Sequence, residues 1–150
     1  MRDASLYAID ESADDFIDEM RKRIEDSSPS GRTYFHRGDF KLSEKPMKGG
    51  IPHIASAPGE PPAILSGDLL RSFSKRTFFS RGHTRIISYI ENHAPYALYL
   101  EYGTSKTGWG GPIDPRPFMT PVIYSAELNH RMLTRVRRVM EAAGQAYGAR

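Results

Sequence analysis

The chain has no cysteine among its 150 residues. This excludes a disulfide scaffold, a thiolate nucleophile and every cysteine-ligated zinc or iron–sulfur centre. Long hydrophobic runs are also missing, so no stretch approaches the ~20 apolar residues that a membrane-spanning helix needs. The start, Met1-Arg2-Asp3, leads into acidic amphipathic sequence rather than an apolar core, so no secretory signal is expected. The five histidines, His36, His53, His83, His93 and His130, fall at no metal-ligand spacing. There is no strand–GxxxxGK–helix phosphate cradle and no GxSxG elbow. Asp14-Asp15 and Asp18-Glu19 fit the solvated face of a helix. Nothing in these patterns calls for an enzyme or a cofactor.

What is present is an uneven charge distribution. Residues 1–74 carry ten Lys and Arg against thirteen Asp and Glu, net −3, and residues 75–150 carry eleven against five, net +6. Three readings are open. Solvated surfaces differ by chance; copies of the chain meet head to tail, acidic face to basic face; or the basic half meets nucleic acid.

Hydrophobic periodicity predicts a single α+β domain over 1–150. In the N-terminal segment 1–30, Leu6, Ile9, Ala13, Phe16, Ile17, Met20 and Ile24 recur at helical spacing, with Asp3 or Ser5 as caps and Ser27–Gly31 as the stop. Arg32 to Arg37 reads as a short strand. Residues 38–65 show no helical or strand period and are rich in Gly and Pro, so they read as an extended loop, either floppy or a semi-rigid arm. Within it Phe40, Leu42, Met47, Ile51 and Ile54 are apolar side chains in want of a partner surface.

Over 66–118, Ser66 caps a short helix containing Leu69, Leu70 and Phe73. Strands at Ser74–Ser80 and Thr84–Glu91 follow, turning at Arg81-Gly82. A second short helix starts after Pro95, with Tyr96, Tyr99 and Leu100 on one face packing against the sheet and Gly103 ending it in a left-handed conformation. Residues 104–118 form a second Gly/Pro-rich loop, in which Trp109 and Arg116 are candidate contacts. Glu101 and Arg116 are expected to pair across it. The last helix, 119–145, is expected to be capped by Thr120, with Pro121 at N1, and shows an apolar stripe of Val122, Ala126, Leu133, Val136 and Met140. Its arginines, Arg131, Arg135, Arg137 and Arg138, lie toward the C-terminal half.

Three segments occur in a recognisable order. Ala57-Pro58-Gly59-Glu60-Pro61-Pro62-Ala63 leads into Ser66-Gly67-Asp68-Leu69-Leu70-Arg71-Ser72-Phe73. Ala94-Pro95-Tyr96-Ala97-Leu98-Tyr99-Leu100-Glu101-Tyr102-Gly103-Thr104 follows, and Arg116-Pro117-Phe118-Met119-Thr120-Pro121 opens the last helix. Together these segments resemble the minor structural proteins that join head to tail in tailed bacteriophages, the family typified by the tenth gene product of a lambdoid phage. The resemblance runs from about Gly31 to the C-terminus. Ser66–Phe73 stands where the family shows tGxLrrSi, and Tyr96–Thr104 where it shows YaxylEfGT. The departures are a longer 38–54 and extra glycines between Thr107 and Asp114.

The resemblance implies a non-enzymatic virion component with an antiparallel sheet of three to four strands packed on a long N-terminal and a long C-terminal helix. It implies a ring of copies in the neck or tail-completion region, between head-connector and tail proteins, with DNA passing through the lumen without sequence-specific binding. It gives Gly59, Pro61, Gly67, Leu69, Tyr96, Tyr99, Glu101, Gly103, Thr104, Pro117 and Phe118 as motif positions. The alternative is a small basic nucleic-acid-binding module.

Overall fold

The computed structural model describes residues 2–38, 41–82, 85–105 and 112–148, with the side chains of 2, 147 and 148 excepted. Phe40 and Trp109 therefore lie outside the described residues, as do Gly110 and Gly111. The chain is α+β. Its elements in order are α1 (Arg2–Glu25), β1 (Thr33–His36), β2 (Ile51–Ile54), α2 (Asp68–Arg71), β3 (Phe73–Phe79), β4 (Ile86–Asn92), α3 (Ala97–Tyr102), α4 (Thr120–Ile123) and α5 (Ala126–Gly148).

The long helix α1 buries Ala8, Ala13, Phe16, Ile17, Met20 and Ile24, the stripe that its 3.6-residue period lays down. That stripe packs on Leu69, Phe73, Phe118, Val122 and Leu128 from α2, β3, the approach to α4, α4 itself and α5. Phe118 is fully buried, its ring edge-on to Phe73 with centroids 6.0 Å apart. β3 and β4 form an antiparallel ribbon in register from Phe73↔Asn92 to Phe79↔Ile86. Along β3, Lys75 and Thr77 turn toward α1 while Arg76 and Phe78 turn outward, the alternation of a ribbon covered on one side. Ser80 and Arg85 face each other at its end, so Arg81 and Gly82 sit within a longer connection rather than forming a two-residue turn.

Several expectations are corrected. Among the described residues there is no sheet of three to four strands but two separate two-stranded sheets, β1–β2 and β3–β4. Residues 38–65 are not free of regular structure. Ile51–Ile54 pairs with Thr33–His36, and Ser43 exchanges two backbone hydrogen bonds with Phe35 at 2.8 Å on the other side. β2 carries a proline and is only four residues long, so it shows no period of its own; its partner strand defines it.

The last helix is two helices, broken at Tyr124-Ser125. The break rotates α5, so that Leu128 is buried and Met132 packs on the core while Leu133 and Met140 of the expected stripe are exposed. α1 is already helical at Arg2, so Asp3 and Ser5 both lie inside the helix rather than ahead of it. α2 follows Gly67, at φ 77° and ψ 5°, with no side-chain cap. Ser66 instead accepts from the Asp68 N–H at 3.3 Å.

Candidate functional site

The three motif segments converge on one node, and Glu101 is its centre. The residue is 6 % exposed, and its carboxylate accepts hydrogen bonds from the backbone N–H groups of Phe118, Met119 and Thr120 at 2.9, 3.0 and 2.7 Å. The Met119 and Thr120 N–H groups are among those that the start of α4 leaves unpaired, so a carboxylate from α3 supplies the cap expected of Thr120, which itself lies inside the helix. Burial pushes the Glu101 pKa up, but the hydrogen bonds from Met119, Thr120 and Phe118 outweigh it and hold the group below the ordinary carboxylate range.

Glu101 does not pair with Arg116. The Arg116 guanidinium donates to the carbonyls of Ser56 at 3.1 Å and Asp114 at 3.2 Å, while its backbone N–H donates to Leu100 O at 2.6 Å. The expected ion pair is thus replaced by two separate ties, one to a helix start and one to the Ser56 segment. The carboxylate faces three preorganised donors, which outcompete a partly exposed guanidinium.

Gly103 ends α3 at φ 72° and ψ 178°. The positive φ is as expected, but the ψ puts it outside the left-handed helical region, in one that is essentially glycine's alone. A Cβ there would meet Ile113 O at 2.6 Å and Pro115 at 2.9 Å. Beside it Thr104 and Ile113 exchange backbone hydrogen bonds at 2.8 and 2.9 Å, closing the base of the second loop.

The proline-rich motif joins the same node. The Gly59 N–H donates to Pro115 O at 2.9 Å. Glu60 accepts from the Ala57 N–H at 2.7 Å, the Ser30 N–H at 3.0 Å and the Ser30 hydroxyl. The Ser30 hydroxyl, then the Ala57 and Ser30 amides, hold Glu60 below the usual carboxylate range. Pro61 and Pro117 flank these contacts, and Pro117 O accepts from Arg23 Nε at 3.3 Å.

This node is the root of an arm, the β1–β2 ribbon. At the root, Gly31 approaches the other strand so closely that a Cβ would lie 2.7 Å from Ala55 O. Out on the arm Leu42, Ile51 and Ile54 are 44, 54 and 46 % exposed, and Met47 is half-buried. The register brings His36 and His53 to one face, which their sequence separation did not announce, although no group of three or more metal-ligating side chains exists among the described residues.

The body carries a second apolar surface. Ile24, Leu65, Leu69, Leu70, Tyr96 and Leu100 line a groove of about 310 Å³ beside the Gly67 turn. Tyr96 and Tyr99 do not pack on the sheet as expected; both are exposed, as is Tyr102. The Glu101 contacts set the rotation of α3, which turns Ala97, Leu100 and Glu101 inward.

The charge asymmetry is partly satisfied within the protomer, which the sequence did not announce. Lys75 Nζ bridges Asp10 and Asp14 of α1 at 2.6 Å each. On another face of α1, Arg135 of α5 meets Asp15 at 2.8 Å and Glu11 at 3.6 Å, and donates to the buried Ser12 hydroxyl at 3.0 Å. The acidic helix is thus clamped to the ribbon by one cation and to α5 by another.

Comparison of the chain with family models, with curated proteins and with solved structures returns no match. Among the described residues no helix is long and apolar enough to cross a membrane.

Proposed function

We propose that the chain is a structural protein of a tailed-phage or prophage virion. Copies of it form a ring at the head–tail junction, between head-connector and tail proteins, and the genome passes through the lumen without sequence-specific contact. The ordered motifs support this reading, because their residues make one connected node rather than scattered surface features.

The observation that carries it is the arm. Leu42, Ile51 and Ile54 stay about half exposed on a ribbon rooted through backbone hydrogen bonds, and burial of that remainder by a neighbour is worth roughly 0.7–1.5 kcal/mol each, half of the full-burial range. The groove beside Tyr96 is a different surface on the same protomer. Contact between two different surfaces is the heterologous kind that closes into rings. Charge contributes less than the sequence suggested, since Lys75 and Arg135 already pair with four acids of α1 internally and offset half of their charge.

Light scattering after gel filtration over a range of concentrations, with negative-stain imaging of the heaviest species, tests the reading. Closed rings of uniform size are expected. A monomer at every concentration, with no incorporation into particles, would refute it.

A further inference from the structure

The outward face of the β3–β4 ribbon has no role in the assembly just described. On it the rings of Phe78 and Tyr89 are stacked, with centroids 5.8 Å apart and planes 26° from parallel. The Arg76 guanidinium lies over both, 5.8 and 5.7 Å from the two centroids. The rings are 36 and 45 % exposed. Arg81 and Arg85 stand exposed at the end of the same ribbon. Among the described residues, none of these three arginines pairs with a carboxylate. Lys75, one residue from Arg76 but on the covered face, holds two.

We infer that this face binds single-stranded nucleic acid, the three guanidiniums meeting phosphates and the Phe78–Tyr89 pair stacking a base. Charge selects the partner: three unneutralised arginines face an anion. The rings select within the anions, because an acidic peptide offers carboxylates but no flat π-surface to place against an aromatic pair capped by a guanidinium. A duplex keeps its bases stacked on one another and so offers these rings less than a single strand does. Arg76, Phe78 and Tyr89 lie on regular strands in fixed register, so these groups are held at constant spacing, while Arg81 and Arg85 belong to the connection at the ribbon's end. This inference does not depend on ring formation.

The test is fluorescence anisotropy of the full chain with a labelled mixed-sequence oligonucleotide, single-stranded and as its duplex, over a salt series. The single strand is expected to bind more tightly, with a log–log salt slope near −2 for three phosphates at about 0.7 each. The triple substitution Arg76→Ala, Arg81→Ala, Arg85→Ala should flatten that slope. Tyr89→Thr should weaken binding roughly fivefold or more, the lower end of one lost base stack, while Tyr89→Phe retains it.

The double variant Arg131→Ala, Arg138→Ala on α5 removes comparable charge elsewhere and should leave binding unchanged. Circular dichroism establishes that each variant is folded, and an unfolded Tyr89→Thr is replaced by Phe78→Thr. The inference is overturned by absence of low-salt binding, by loss on the α5 variant rather than the ribbon variants, or by duplex binding equal to single-strand binding and indifferent to Tyr89.

Discussion

The body and the arm solve the same problem in opposite ways. In the body, apolar side chains from α1, β3 and the start of α4 bury one another, and Phe118, Met20 and Ile24 are almost wholly enclosed. In the arm, β1–β2 is held by backbone hydrogen bonds and by the node at its root, while Leu42, Ile51 and Ile54 remain in water. A two-stranded ribbon alone is marginally stable at best, so the arm depends on its anchorage. Fold stability therefore resides in the body and the node, and the exposed apolar surface of the arm is free for a partner.

Perturbations of the two regions should separate cleanly. The largest effect is expected from Phe118→Ala, which removes the largest of the fully buried side chains among the described residues and should cost about 3–5 kcal/mol in urea unfolding. Glu101→Gln comes next. It replaces three charge-assisted hydrogen bonds to the start of α4 and should cost ~1.5–3 kcal/mol near neutral pH.

The same residue has a pH signature. Its pKa is lowered on folding, so its contribution is complete above the unfolded carboxyl value of about 4.3 and is lost as pH falls through the lower folded value. The stability difference between wild type and Glu101→Gln should therefore shrink toward acid. A difference that is constant down to the acid limb would show that the charge does not matter there.

Gly103→Val should cost about 1–3 kcal/mol from backbone strain alone. The contact of its Cβ with Ile113 O adds to this, and calorimetry measures the sum. The smallest effect on the body is expected from Lys75→Met. Its ion pairs with Asp10 and Asp14 are partly exposed and worth ~0.2–1 kcal/mol, less at high salt.

These sites also show which parts of the molecule were legible in the sequence. α1 was, because its apolar stripe is long and regular, and the β3–β4 run was, because aromatic and β-branched residues cluster on both sides of a turn. β2 was not, because four residues including a proline carry no period and acquire strand geometry only from β1. The phase of α5 was missed because the break at Tyr124-Ser125 resets the helical rotation, and no strong breaker marks it.

At the site, Gly103 was legible from its position after an amphipathic turn. Glu101 was visible as a motif residue, but its partner was misjudged, since opposite charge suggested Arg116 while the decisive donors are backbone amides without a sequence signature. Lys75 and Arg135 left no local trace, because their carboxylate partners lie across the fold on α1. Phe40 and Trp109 lie outside the described residues.

The division of labour between body and arm is tested most directly by deleting residues 39–50. His36 faces Ile51 across the ribbon, so the deletion leaves Arg37-Gly38 as a two-residue hairpin turn and keeps β1–β2 and the node intact. Leu42 and Met47 leave with the deleted segment. The unfolding free energy of the shortened chain, measured alongside its mass in solution, should stay within about 1 kcal/mol of wild type, the scale of an ordinary loop change. Ring formation should be abolished. A shortened chain that still forms the same rings would contradict the account, and one that no longer folds would show that the arm belongs to the core after all.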